Sequence, residues 1–345
     1  MQTGISWRYK QSGKNPELRL PAASFGGQLF FFDQYQKWLT ETRYFVIFDR
    51  LVSHMIRRTD EEIKKTILDL AGRDQRVRAV LLNGSRAIPG RTADPLQDFD
   101  IVFLVNQLDS FLKDHSWTII FGQTLIAQSP DNMDLGEKPA VGLPVSFSYL
   151  MLFEDGNRID LTLFPLDRFR QDFHNDSQTL VWLDKDNLFP DFPSPNEGDY
   201  LLEKPSEKQF LDACNEFWWV STYVSKGLLR NEIIYAKAML EGPVRKMFMK
   251  VIAWNIGVKN EFGVNLGKEG RFVKGHLPGN EFQALLKTYP DGNSANIWNA
   301  LFAMTDIFSR YAKNIAAFLK YNYNIVEEKN TLSWLLRQYS ETGQG

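Results

Sequence analysis

The residues whose types and spacing could do chemistry lie in the stretch LLNGSRAIPGRTADPLQDFDIVFLV, from Leu81 to Val105. Gly84-Ser85 stand at the end of a strand candidate, and after twelve intervening residues Asp98-Phe99-Asp100 open another. Side chains two apart on a strand share a face, so Asp98 and Asp100 would present their carboxylates together while Phe99 turns into a core. Adjacent anions repel unless something positive sits between them. Mg²⁺ is suited to that position because it takes oxygen ligands and keeps room for water and substrate phosphates. Gly84 lets the backbone approach a phosphate closely, and the Ser85 hydroxyl and amide can hydrogen-bond its oxygens. A third acid, Asp160, sits in Arg158-Ile159-Asp160-Leu161, where alternation buries Ile159 and Leu161 on the opposite side. Three carboxylates on neighbouring strands can hold two metal ions. Such a pair suits an in-line displacement at phosphorus, in which a hydroxyl attacks and pyrophosphate departs.

The elements that must position these residues read as α/β in the first half of the chain. Thr59 with Glu62 forms a capping-box pattern, and Ile63, Ile67 and Leu70 then fall on one helical face. Val77 to Leu82, Asp98 to Val105 and Phe121 to Gln128 are buried-strand candidates. Val145 to Phe153 and Arg158 to Phe164 flank the turn signal Glu154-Asp155-Gly156-Asn157, which predicts an antiparallel hairpin. Pro190, Pro193 and Pro195 then mark a linker. Beyond it, Ser206 to Gly227, Arg230 to Val258, Asn280 to Tyr289 and Ala295 to Tyr321 carry apolar residues at helical spacing, as a small bundle requires. The expected organisation is an extension of unassigned role over 1 to 54, a mixed-sheet domain over 55 to 190 and a helical domain over 191 to 345. The extension could be upstream sequence read from an early start codon.

Gly-Ser, a spacer, Asp-apolar-Asp and a later strand Asp together resemble the polymerase-beta-like nucleotidyltransferase superfamily. Within it, the phrases NGSRAIPG, QDFDIVF, DGNRIDLTL, CNEFWWVSTYVSKGLLRNEI and GKEGRFVKGHL are similar to the aminoglycoside 6-adenylyltransferases, from about Met55 to about residue 335. The resemblance implies an α/β (α+β) nucleotidyltransferase fold with a mixed sheet, followed by a C-terminal helical bundle. It implies AMP transfer from ATP to an aminoglycoside hydroxyl, the 6-position of a streptomycin-like drug, and hence antibiotic resistance. Asp98, Asp100 and Asp160 would be ligands of two Mg²⁺ ions, and Gly84, Ser85 and Arg86 would hold the triphosphate. Lys226, in the helical half, resembles a lysine that reaches the triphosphate from the second domain.

A general base is harder to find, since acids outside that set are numerous. Asp184 is the candidate, because it ends the apolar run Val181-Trp182-Leu183 and could face a cleft. Two other readings stand beside the main one: a nucleotidyltransferase acting on another antibiotic or a protein, and a non-catalytic binding protein that keeps the fold. The presence of all three carboxylates counts against the second.

The bulk composition bounds these readings. With 40 basic and 42 acidic residues the chain has a formal net charge of -2, unlike the basic footprint of a duplex nucleic-acid binder. The single cysteine, Cys214, allows no internal disulfide, and no apolar stretch is long enough to cross a membrane. A cytoplasmic enzyme is expected, with ATP and a small-molecule acceptor as partners and neither nucleic acid nor membrane. The four histidines show no zinc-ligand spacing, and no G-x-S-x-G elbow points to a hydrolase.

Overall fold

The computed structural model of the chain describes residues 57–90, 94–135, 145–173 and 176–342. The extension expected over 1 to 54 lies outside the described residues.

The first helix, α1 (Asp60–Arg73), starts where the sequence places it. The Thr59 hydroxyl accepts from the Glu62 amide while the Glu62 carboxylate accepts from the Thr59 amide, and three acids occupy the first turn. Both arrangements satisfy the free N–H groups and positive end of the helix. Ile63, Ile67 and Ala71, four apart, form its buried stripe.

Six strands make one sheet: β1 (Val77–Asn83), β2 (Phe99–Val105), β3 (Thr124–Gln128), β4 (Phe147–Phe153), β5 (Arg158–Pro165) and β6 (Thr179–Asp184), in the order β3-β4-β5-β2-β1-β6. Only the central β2–β5 pairing is parallel, so the sheet is mixed. Alternation divides it into two faces. On one, Phe99, Ile101 and Phe103 of β2, Ile159, Leu161 and Leu163 of β5, and Tyr149 and Met151 of β4 share a core with the stripe of α1 and with Phe111 of α2 (Leu108–Leu112). On the other, Val102, Leu104 and Phe164 pack against Phe169 of α3 (Leu166–Asp172) and against Phe173 and Phe189. The remaining β2 and β5 positions on that second face include Asp100, Arg158 and Asp160.

One strand expectation needs correction. Phe121 is buried, but it ends a 3-10 turn (Ser116–Phe121), and β3 itself is an exposed edge strand. Gly122, at φ 119, separates them. The segment read as an apolar run ending in Asp184 is the sixth strand, paired with β1.

The β4–β5 hairpin is tied to the chain entering α1. Arg58 pairs with Asp155 in the turn (Nε to Oδ2 2.6 Å), donates to the Phe121 carbonyl and lies 5.0 Å from the Phe153 ring centre. The buried Asn157 side chain donates to the Arg58 carbonyl at 3.0 Å. This clasp fixes the turn that launches Arg158 and Asp160.

The second half is helical: α4 (Glu207–Leu229), α5 (Ile233–Met239), α6 (Arg245–Lys259), α7 (Val273–His276), α8 (Gly279–Leu286), α9 (Ser294–Leu319) and α10 (Ile325–Glu341). Phe217 of α4 stacks on Phe308 of α9 with centroids 3.7 Å apart, within a core that includes Trp218, Phe248 and Trp298. The segment expected from Arg230 to Val258 starts after Asn231, whose φ is 58, and then runs continuously from Ile233 to Lys259 through a π bulge (Leu240–Val244) that accommodates Pro243, which lacks a helical donor. Helix α10, which the sequence reading did not include, packs Leu332, Leu335 and Tyr339 on the same core, and its buried Glu328 accepts from Tyr323, Ser309 and Lys313. Among the described residues, no helix is long and apolar enough to cross a membrane.

Replacing Asp155 with Ala should destabilise the protein by about 1–3 kcal/mol, since Arg58 then keeps only part of its hydrogen bonding. Although burial pushes the Asp155 carboxyl up, its bonds to Arg58 and Asn157 hold it well below the usual carboxylate range. The stabilisation is therefore present above the unfolded-state value near ~4 and is lost as pH falls further. Denaturant unfolding across pH should show the wild-type and D155A curves converging in acid.

Candidate active site

Strand register builds the site. Asn83 of β1 lies opposite Asp100 of β2, and Asp100 lies beside Asp160 of β5, so one row of residues crosses three strands on the same face. Asp98 immediately precedes β2 and is two residues from Asp100, so it shares that face.

Gly84 follows the row directly and opens a 3-10 turn (Gly84–Ala87) at φ 75. A Cβ placed there would stand 2.7 Å from Asp100 Oδ2, so a side chain is excluded by both backbone geometry and space. Ser85 Oγ accepts from Gln97 Nε2 at 3.1 Å, which holds the turn against the residues entering β2.

Electrostatics sets the character of the row. Burial first, and then the neighbouring Asp160 and Asp98, push the Asp100 carboxyl up to about 6. Asp98 is also raised by burial and by Asp160, with Arg158 opposing. No described residue hydrogen-bonds to the Asp100 carboxylate. Arg158 holds Asp160 with a two-pronged contact, Nε to Oδ1 at 2.8 Å and Nη2 to Oδ2 at 2.7 Å, and its Nη1 lies 3.6 Å from Asp98 Oδ2. Beside Asp98 and Arg158 opens a cleft of about 420 Å³, with Leu150, Leu152 and Ile126 on its wall.

Three expected residues lie elsewhere or are otherwise engaged. Arg86 is a buttress: its guanidinium donates to the carbonyls of Gln97 (2.9 Å) and Asp98 (3.1 Å), pairs with Asp60 and lies 3.9 Å from the Phe99 ring centre. With only 6% of its side chain exposed, it binds a phosphate only by giving up those contacts. Asp184 does not face the row. It pairs with Ala79, four residues along β1 from Asn83, or roughly 13 Å at strand spacing. Its carboxylate accepts from the amides of Leu188 (3.0 Å) and Phe189 (2.9 Å), so it caps its own turn and the expectation of a general base is withdrawn. Lys226 is exposed on α4 with its Nζ 5.5 Å from the Tyr223 ring centre; no hydrogen bond or ion pair joins it to the carboxylates.

The donor set fits a hard divalent cation: three carboxylates on one face, one buried beside the other two without a hydrogen-bond donor of its own. As they stand, though, no three acidic, histidine or cysteine side chains among the described residues are gathered closely enough to grip an ion. The Arg158 guanidinium lies among the acids instead. Sequence reasoning assigned no role to Arg158 or Gln97. The Arg-x-Asp spacing, which puts both side chains on one strand face, was the available signal for Arg158; Gln97 carried none.

Comparison with known proteins places the chain. The family model described as streptomycin adenylyltransferase matches residues 57–338. The chain is 39% identical over 286 residues to aminoglycoside 6-adenylyltransferase from Campylobacter jejuni, covering 83% of this chain and 98% of that protein. It is 38% identical over 273 residues to the protein of the same name from Bacillus subtilis (strain 168), covering 79% and 95%. With the one from Staphylococcus aureus it shares 33% over 283 residues, covering 82% and 99%. A crystal structure of an aminoglycoside 6-adenyltransferase from Bacillus subtilis matches with 34% identity and a TM-score of 0.41, over 82% of this chain and 99% of that one. On the family match and these identities over most of its length, the chain belongs to the streptomycin adenylyltransferase family and is an adenylyltransferase.

Proposed function

We propose that the enzyme transfers AMP from ATP to a hydroxyl of a streptomycin-like aminoglycoside, at the 6-position, with Mg²⁺ held by Asp98, Asp100 and Asp160. The observation that carries this reading is the placement of Asp100 beside Asp160 in register, directly under Gly84. The relatives' names supply the acceptor class, and the carboxylate row supplies a reason for the chemistry.

A pair of Mg²⁺ ions, when bound, would offset charge on the phosphates and favour loss of the acceptor's proton. The chain's own residues do the rest. Gly84 leaves room for a phosphate oxygen near Asp100, and the Ser85 hydroxyl, though bonded to Gln97 as acceptor, keeps its hydrogen free to donate. The acceptor oxygen forms a bond to the α-phosphorus, the bond to the β-phosphate bridge breaks, and pyrophosphate and a proton leave. Adding a phosphodiester to a polycationic drug places negative charge where it binds RNA through cationic groups, and resistance follows. In this reading residues 55 to 190 and 191 to 345 act as two domains, with Lys226 delivered to the triphosphate from the second. The cytoplasm, where ATP and Mg²⁺ are plentiful, is its place of action.

Incubating the protein with ATP, Mg²⁺ and streptomycin should give a drug heavier by one adenylyl group in mass spectrometry, alongside pyrophosphate. Transfer to a different hydroxyl compound with none to streptomycin would reassign the acceptor. Replacing Gly84 with Ala should reduce the rate by roughly a hundredfold while the protein remains folded, because displacing a reacting group by about 1 Å costs that much.

Asp100→Asn should separate chemistry from stability. Its turnover should fall by more than about a hundredfold, since even residues supporting a metal ligand cost 10–100-fold. Metal-free, the variant should be more stable by about 2–3 kcal/mol at neutral pH, because the carboxylate's raised folded-state value means that its ionised form is disfavoured by folding. That gain should be complete above the folded value of about 6 and vanish only as pH falls below the unfolded-state value near ~4, where both states become protonated. Denaturant unfolding in chelator reads it.

A further inference from the structure

We infer that Arg158 is a positioning residue that serves as an internal counter-ion for the carboxylate row, and that loading of a divalent ion requires it to release Asp160. The inference rests on the metal reading of the row and extends it to how the ion gets in.

Arg158 and Asp160 are two residues apart on β5, so both stand on the sheet face that carries the acids. The guanidinium matches a carboxylate edge to edge, and here both Asp160 oxygens are taken, at 2.8 Å and 2.7 Å. Its remaining nitrogen reaches 3.6 Å from Asp98. The cation therefore lies between two of the three groups that a metal would draw together. The Asp160 side chain is 19% exposed and that of Arg158 41%, so the carboxylate end of the pair is shielded while the guanidinium keeps a route to solvent.

Two consequences follow. Without metal, Arg158 limits repulsion in the row, which otherwise holds three anions and no other described cation that hydrogen-bonds to them. With metal, the same guanidinium competes: an ion that takes Asp160 must displace at least one prong of the fork. Ion uptake by the free enzyme is weakened accordingly, and the row stays ordered until an ion arrives.

The test is Mn²⁺ binding to the full chain in the absence of nucleotide, read by the loss of the free-ion electron paramagnetic resonance signal. Arg158→Gln should bind Mn²⁺ roughly tenfold more tightly than the wild type, within the range by which groups supporting a metal ligand shift affinity. Arg158→Lys keeps the charge but cannot hold both oxygens, so it should also bind more tightly, by a smaller factor. Arg158→Gln binding no tighter than wild type, or Arg158→Lys indistinguishable from wild type, overturns the inference. Asp100→Asn is the control: if it binds Mn²⁺ as the wild type does, the row is not the metal site and the proposed chemistry fails at its root. If Asp100→Asn loses binding while the Arg158 variants match the wild type, only the role of Arg158 fails. Far-ultraviolet circular dichroism confirms that each variant is folded, and Arg158→Lys, the milder change, carries the test should Arg158→Gln unfold.

Discussion

Mutual repulsion of three carboxylates on one sheet face is the constraint around which the rest of the site is arranged. Carboxylates in adjacent register cannot all ionise at low cost when one is buried, and burial with two acidic neighbours is what raises Asp100 to about 6. A protein selected only for stability would fill such a position with an apolar residue. The same face does so a few residues further along, at Val102, Leu104 and Phe164. One strand pair thus carries a stabilising half and a strained half, and strain that persists in this way is characteristic of a functional site.

The surroundings keep the strained half in place. The hairpin clasp of Arg58, Asp155 and Asn157 fixes where β5 begins, and so where Arg158 and Asp160 project. Arg86 joins the Gly-Ser turn to the entry of β2 and, through Asp60, to the first turn of α1. Gly84 contributes by having no side chain, because any Cβ would collide with Asp100. These contacts pre-organise the acids without neutralising all of them, and among the described residues none hydrogen-bonds to the Asp100 carboxylate, as the proposed metal site requires.

Legibility from sequence followed the range of each interaction. The capping box of α1, the alternation of β2 and β5 and the hairpin turn are local, and their residues announced them. Strand alternation alone put Asp98 and Asp100 on one face; Asp160 and Gly84 were joined to them only through the resemblance to a known family, and the strand register sets Asp100 beside Asp160. Non-local pairings were less accessible: whether Arg86 meets a phosphate or its own chain depends on Asp60, 26 residues away. The turn cap of Asp184 is local, to amides four and five residues on, yet its residues carry no distinctive signal. An acid at the end of an apolar run reads the same in either role. Helix α10 was harder to read because its inner face mixes the hydrogen-bonded Glu328 with Leu332, Leu335 and Tyr339, so a charged residue interrupts the apolar stripe that hydrophobic periodicity registers.

Crystals grown with Mn²⁺ and a non-hydrolysable ATP analogue test the central claim most directly, through the anomalous signal of the metal. The account predicts Mn²⁺ within coordinating distance of Asp98, Asp100 and Asp160, with the nucleotide's phosphates against Gly84 and Ser85. Metal and phosphates bound at another part of the protein, with the three acids left unligated, would contradict it.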